Sequence, residues 1–273
     1  MRVMIRVSIY VAIFVLLSGC AVSPVRPSTS ASGTLTVFAA ASLTEAFTAL
    51  GQRFEADHPG VRVTFNFAGS QQLAQQLAQG APADLFASAH PRQMQAAIDA
   101  SRVLTGTTRP FACNRLVVIY PGDNPAGLRD LRDLAQPGLH LVIAAKEVPV
   151  GQYALDFLGK ADQDPVLGAG YRDRVLRHVV SYEENVKAVL AKVILGEADA
   201  GIVYTTDLAS SQPGRIGQIA IPDALNVIAT YPIGPVRDGG HPDLARLFME
   251  EILGPAGQVV LAKYGFIPAA ACR

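Results

Sequence analysis

Four segments of this chain carry a strand into a small or hydroxyl-bearing residue and then into a helix. They are Phe38-Ala39-Ala40-Ala41-Ser42-Leu43, Phe67-Ala68-Gly69-Ser70-Gln71, Val148-Pro149-Val150-Gly151-Gln152 and Glu183-Glu184-Asn185-Val186-Lys187. The first turn of a helix presents backbone N–H groups that have no intrahelical acceptor, at the positive end of the helix dipole. Several such starts aimed at one point would enclose a small anion without a lysine or arginine. Ser42 and Ser70 add hydroxyl donors at two of the junctions, each behind very small residues that permit close approach to the backbone. The plain alternative is that both serines are N-caps accepting an N–H from their own helices. Val150 and Val186 read as helix openings without a capping side chain, so their amides must find partners elsewhere. Tyr204 ends the apolar run Gly201-Ile202-Val203-Tyr204. It is either a core aromatic satisfied locally or one more donor at the strand mouths, where open α/β sheets bind ligands. This chemistry is binding rather than bond making. The sequence holds no Gly-x-Ser-x-Gly elbow, no His-Glu-x-x-His and no phosphate-binding Gly-x-x-x-x-Gly-Lys loop. Its histidines, at 58, 90, 140, 178 and 241, stand singly without metal-ligand spacing and read as surface residues.

The elements that must position these residues alternate along the chain. Thr34–Phe38 reads as a short strand, and Leu43, Phe47, Leu50 and Phe54 fall at helical spacing. Val61–Phe67 alternates as a strand, Ser70–Gln79 reads as a helix, Asp84–Ala89 as a buried strand and Pro91–Ala100 as a helix with proline in its first turn. Further strands are expected at Leu116–Tyr120, Leu139–Ala144, Leu176–Ser181, Ala200–Tyr204, Ile216–Ala220 and Val227–Tyr231, with helices from Val150, from about Pro165 and over Glu183–Leu195. Two helices close the chain, the last stopped by Gly265. The alternation predicts an α/β architecture of largely parallel sheets covered by helices, and about 240 residues of short βα units divide more comfortably into two lobes than into one sheet. Glu45, in the first turn after Ser42, is explained by the helix dipole alone, and Asp84 by a turn or cap beside its strand.

The N-terminus has a separate purpose. Arg2 and Arg6 precede an apolar run from Val7 to Leu17, too short to span a membrane and suited to a secretory signal over residues 1–19. It ends in Leu17-Ser18-Gly19-Cys20, which resembles a bacterial lipoprotein box with Cys20 as the lipidated residue, an ordinary signal peptide being the alternative. Residues 20–33, rich in Ser and Pro, read as a lipid-anchored flexible tether. Cleavage would leave 254 residues with 21 basic against 23 acidic side chains, a balance that argues against nucleic acid and anionic membrane surfaces as partners. Cys113 and Cys272 remain, and outside the cytoplasm they either pair or stay free thiols.

Five motifs in order give a specific resemblance: Val37-Phe38-Ala39-Ala40-Ala41-Ser42-Leu43, Gly80-Ala81-Pro82-Ala83-Asp84-Leu85-Phe86-Ala87-Ser88-Ala89, Val148-Pro149-Val150-Gly151, Gly201-Ile202-Val203-Tyr204 and Lys263-Tyr264-Gly265-Phe266. Over about residues 34–268 the chain resembles the periplasmic molybdate-binding proteins of ABC transporters, members of the two-lobed substrate-binding protein superfamily. The resemblance implies a periplasmic-binding-protein-like α/β fold, each lobe a mostly parallel sheet flanked by helices, with the ligand in the cleft. It implies a first lobe of residues 34–112 and 232–273, a second of 113–231, and crossings near Asn114–Tyr120 and Ala229–Ile233. It further implies that molybdate or tungstate is held by the hydroxyls of Ser42, Ser70 and Tyr204 and the amides of Val150 and Val186, molybdenum entering only as its oxyanion. No catalysis and no cofactor are implied. The implied partners are an ABC permease and, through the lipid on Cys20, a bacterial membrane, the protein itself being a monomer. Val150 departs from the alanine of many relatives, and Gly69 from the serine of some. Sulfate, smaller but alike in charge and shape, is the alternative ligand.

Overall fold

A computed structural model describes residues 32–209 and 211–272; the signal segment, Cys20 and the tether up to residue 31 lie outside the described residues. The first sheet is built from β1 (Gly33–Ala40), β2 (Val61–Ala68), β3 (Leu85–Ala87), β4 (Arg109–Asn114), β10 (Ala229–Pro235) and β11 (Ile267–Pro268), in the order β11-β4-β10-β3-β1-β2. The second contains β5 (Leu116–Pro121), β6 (Leu141–Ala144), β7 (Val179–Glu183), β8 (Ala200–Tyr204) and β9 (Ile216–Ala220), in the order β7-β6-β8-β5-β9. Within each sheet most strands run the same way. The exceptions are β10 and β11 in the first sheet and β5 in the second, which pair antiparallel with their neighbours.

Alternation along the strands places helices on both faces of the first sheet. Leu35, Val37 and Ala39 of β1 pack in one cluster with Phe47, Leu50 and Phe54 of α1 (Thr44–Asp57) and Phe248 of α8 (Pro242–Leu253). Phe38 and Phe86 point the other way, onto Leu73 and Leu77 of α2 (Ser70–Ala78) and Met94 of α3 (Pro91–Asp99). In the second sheet β6 and β8 are buried along their whole length, as strands covered on both faces should be. Helices α4 (Pro149–Ala161) and α6 (Val186–Ile194) pack against both of them. The helix expected from about Pro165 starts only at Tyr171, as α5 (Tyr171–Leu176), after a turn through two glycines with positive φ.

The helix α9 (Pro255–Lys263) ends where Gly265 predicted. Gly265 takes φ +86°, its N–H reaches the Ala262 carbonyl and the Phe266 N–H reaches the Leu261 carbonyl. This left-handed cap turns Phe266 inward, its ring 5.5 Å from that of Tyr231.

The first crossing between sheets falls inside the expected Asn114–Tyr120 stretch but is far shorter, and the second lies ahead of the expected Ala229–Ile233. Residues 113 and 114 still belong to β4, and Ala229–Tyr231 already belong to β10, both in the first sheet; β5 lies wholly in the second. The chain therefore crosses at Arg115 and returns through residues 221–228. The reason is pairing: β5 and β10 are each hydrogen-bonded on both sides within one sheet, so neither can be the connection. Asn226 joins the two crossings, donating to the Leu116 carbonyl at 2.9 Å and accepting the Leu116 N–H at 3.0 Å.

Cys113 and Cys272 form a disulfide that ties the C-terminal end to β4 across 159 residues of sequence. Closing a loop of that length restricts the unfolded chain. Replacing both cysteines by serine is expected to cost about 2–4 kcal/mol, read as a fall in thermal midpoint in calorimetry; an unchanged midpoint would show that the bond adds nothing.

Candidate functional site

The ends of the strands supply the site. Ser42 lies in a tight turn, Ala41–Leu43, between β1 and α1; Ser70 is the first residue of α2 behind Gly69. Val150 is the second residue of α4 behind Pro149, Val186 is the first of α6, and Tyr204 is the last of β8. All five line one cavity between the lobes, and each is at most 4 % exposed. The cavity is small, about 10 Å³, far below the size of pockets for drug-sized ligands. No residue lining it carries a charge; the rest of the wall is mainly small, Ala40, Ala41, Ala68, Gly69 and Ala89 among it.

Neither serine caps its own helix. The Ser70 hydroxyl oxygen accepts the N–H of Ala89 at 3.0 Å, which leaves the Ser70 proton free to point elsewhere. Ser42 Oγ is 3.0 Å from the hydroxyl of Tyr231, a residue of β10 that is fully buried. The Tyr204 hydroxyl is buried without a hydrogen-bond partner, although the Tyr204 and Tyr231 rings meet edge to face at 5.9 Å. Burial, and then the neighbouring Tyr231, push the Tyr204 hydroxyl well above the ordinary tyrosine range, so it stays a proton donor. A buried donor left without a close partner calls for an explanation, and this one lines the cavity.

One expectation needs correcting at α6. That helix is capped: Asn185 Oδ1 accepts the N–H of Ala188 at 3.0 Å. The cap is used on the third amide of the helix, and Val186 stands ahead of it, where no intrahelical acceptor exists. Val150 fits the expectation unchanged, since Val148 offers no capping side chain to α4.

Contacts across the cleft hold the lobes together around the cavity. Gln71 and Gln72 of α2 donate to the backbone carbonyl and carboxylate of Glu184 at 2.8 and 2.9 Å. A Cβ on Gly69 would come within 2.5 Å of the Glu184 carbonyl oxygen, so only glycine allows this closeness. Lys187 of α6 reaches both oxygens of Glu45 on α1 at 2.9 Å and also Asp207, which is fully buried, at 3.1 Å. Burial works against the Lys187 charge, but Asp207 and Glu45 outweigh it and raise its pKa. Asp207 in turn accepts the Tyr204 N–H at 3.1 Å. Glu45, which the helix dipole alone had explained, is thus one side of an ion pair between lobes. Asp84 is removed from the cavity and accepts the N–H groups of Thr36 and His241 at 2.7 and 2.8 Å. Among the histidines only His140 is exposed; His90 stacks on Tyr153 across the cleft with ring centroids 4.6 Å apart.

Sequence reasoning missed Ala89, Tyr231, Asn114, Lys187 and Asp207. The run Gly80 to Ala89 was noticed as a strand and as one motif of the resemblance, but no role in the site was given to Ala89.

Two lobes that close helix starts upon one small cavity define a ligand-capturing protein of the two-lobed type. The chain belongs to the bacterial extracellular solute-binding protein family, which residues 35–267 match. The molybdate-binding protein ModA of Mycobacterium tuberculosis is 39 % identical over 244 residues, 89 % of this chain and 88 % of that one. Among solved structures, the substrate-binding domain of a putative molybdenum ABC transporter from Clostridium difficile aligns with TM-score 0.63 and 28 % identity over 86 % of this chain and 98 % of that one. The sulfate-binding protein SubI of Mycobacterium tuberculosis shares the fold, with TM-score 0.76 and 19 % identity over 86 % of both chains.

The Lys187–Glu45 pair predicts that Glu45→Gln shifts the lobes toward an open arrangement. About 1 kcal/mol, reasonable for a half-exposed pair, corresponds to roughly a fivefold change in the closed-to-open ratio. Distances between spin labels on the two lobes measure it, and an unaltered distribution would show that the pair does not hold the cleft.

Proposed function

We propose that this chain is an extracytoplasmic receptor that captures molybdate, and tungstate with it, and delivers the oxyanion to an ABC permease. The observation that supports this reading is the cavity itself: Ser42, Ser70, Val150, Val186 and Tyr204 all line a space without any charged side chain, and their hydroxyls and amides are the donors such a space would offer. Such a set can hold a fully deprotonated tetrahedral dianion through donated hydrogen bonds alone. Hydrogen bonds to a charged group contribute about 1.5–3 kcal/mol each, so five donors supply roughly 7–15 kcal/mol before the costs of closure and ordering. Submicromolar affinity lies within that range. The 39 % identical relative named for molybdate supports this ligand over sulfate, whose binding proteins match this chain at 26 % and 19 % identity.

The same reading makes the protein a carrier rather than an enzyme: the serines have no base beside them, their oxygens being engaged by an amide N–H and a phenol. It includes a lipid on Cys20, following the signal segment, and a monomer that works one ligand at a time.

Calorimetric titration with molybdate, tungstate, sulfate and phosphate tests the reading. Ser42→Ala and Ser70→Ala are each expected to weaken molybdate by about 1.5–3 kcal/mol, since each removes a donor to a charged ligand. Val150→Ala keeps its amide and should change affinity far less. Full molybdate affinity in both serine variants would mean that the hydroxyls do not touch the ligand, and tighter binding of sulfate than of molybdate would favour the alternative.

A further inference from the structure

We infer that Asn114 fixes the direction in which the hydroxyl protons around the cavity point, and through them the protonation state of the oxyanion the site accepts; this rests on the oxyanion reading above. The 3.0 Å contact between Ser42 Oγ and the Tyr231 hydroxyl is ambiguous by itself, since either oxygen can donate. Asn114, fully buried at the end of β4, biases it, because a phenol oxygen that already accepts one hydrogen bond has its proton left to give. Asn114 Oδ1 lies 2.9 Å from the backbone N–H of Arg115, and an N–H must face an oxygen, so the amide cannot be flipped. The Thr205 hydroxyl donates to the same Oδ1 at 3.0 Å. The Nδ2 group, a donor only, is then left facing Thr206 Oγ1 at 2.8 Å and the Tyr231 hydroxyl, more weakly, at 3.5 Å.

The consequence propagates inward. Tyr231 accepts from Asn114 and sends its own proton to Ser42. Ser42 accepts from Tyr231, and its remaining proton goes to the cavity. Ser70 reaches the same state by a shorter route, its oxygen taken by the Ala89 N–H. Both serines are therefore oriented by relays that begin at fixed backbone N–H groups, Arg115 for one and Ala89 for the other. Tyr204 adds a third proton. With these hydroxyls all donating inward, a ligand oxygen that carries a hydrogen finds only their leftover lone pairs, which face away from the donated protons, and a poorly satisfied buried O–H is unfavourable. Asn114 is thus a positioning residue for selectivity, acting through Tyr231 without touching the ligand.

Asn114→Asp replaces the Nδ2 donor by an acceptor while keeping the oxygen that serves Arg115. Tyr231 would then donate to the introduced carboxylate, Ser42 would donate to Tyr231, and a Ser42 lone pair would face the cavity. At mildly alkaline pH molybdate, sulfate and hydrogen phosphate all carry two negative charges, so the charge added at position 114 weakens them alike, and only hydrogen-bond direction separates them. Competition titrations on the wild type, Asn114→Asp and the uncharged Tyr231→Phe decide the matter, with folding checked by thermal unfolding. The preference for molybdate over hydrogen phosphate is expected to fall about tenfold or more in Asn114→Asp, and by a smaller factor in Tyr231→Phe, where Ser42 is free to accept. Equal weakening of both anions with an unchanged ratio would overturn the inference. Should Asn114→Asp not fold, Tyr231→Phe decides alone, and an unchanged ratio there overturns it too. A wild-type protein that binds none of the three anions would instead remove the oxyanion reading and this inference with it.

Discussion

A dianion taken out of water and given no countercharge must be compensated by oriented dipoles. Continuum solvation puts the loss of hydration at of order 20 kcal/mol even for a singly charged ion moved into a dry interior. Dipoles meet that demand only when they already point at the charge, because reorienting them on binding would consume most of the gain. The fold of this chain provides such pre-set dipoles. Strands of both sheets end at the cleft, and α2, α4 and α6 start there, so amide groups are aimed by backbone geometry rather than by side-chain rotamers. The small residues along the wall follow from the same demand, since a bulkier side chain at Ala40 or Ala68 would stand between donor and ligand.

The polar lining is divided between lobes, Ser42 and Ser70 on the first and Val150, Val186 and Tyr204 on the second. Neither lobe alone holds the full set, so affinity and closure are one equilibrium. Charged side chains are used at the rim instead of inside. Lys187 is held by Glu45 and Asp207 next to the cavity but does not line it. Its position lets it favour closure while the ligand still feels only dipoles. Lysine in the cavity would grip any anion, protonated or not, and selectivity would suffer.

Much of this was legible in the sequence because it is local. A hydroxyl after two small residues at a strand end, an apolar helix start behind proline, and a tyrosine closing a buried strand can each be read from neighbours in the chain, and the structure brings Ser42, Ser70, Val150, Val186 and Tyr204 to one cavity. What escaped is set by tertiary packing. Tyr231 lies 189 residues from Ser42, and Asn114 lies 117 residues from Tyr231; no spacing rule connects them. The extent of the first crossing and the place of the second escaped for a related reason. The apolar run 116–121 looks the same whether it spans two lobes or pairs within one, and only its partners, β8 and β9, decide. Glu45 was given a sufficient local reason in the helix dipole, which hid its partner on the other lobe.

The placement of Asn114 bears on how selectivity survives motion. It stands one residue before the crossing and touches both sides: Thr205 and Thr206 follow β8 of the second lobe, while Tyr231 belongs to the first. Asn226, on the return crossing, clamps Leu116 through both its N–H and its carbonyl, so the two connections behave as one unit. Atoms near a rotation axis move least when lobes open and close. A hydrogen-bond relay anchored there keeps its direction through the whole cycle, whereas one anchored at the rim would have to be rebuilt at each closure. On the proposed reading the outer contacts at Glu184 and Lys187 would break and re-form with each closure, while the relay at Asn114 would already be in place before the cleft shuts.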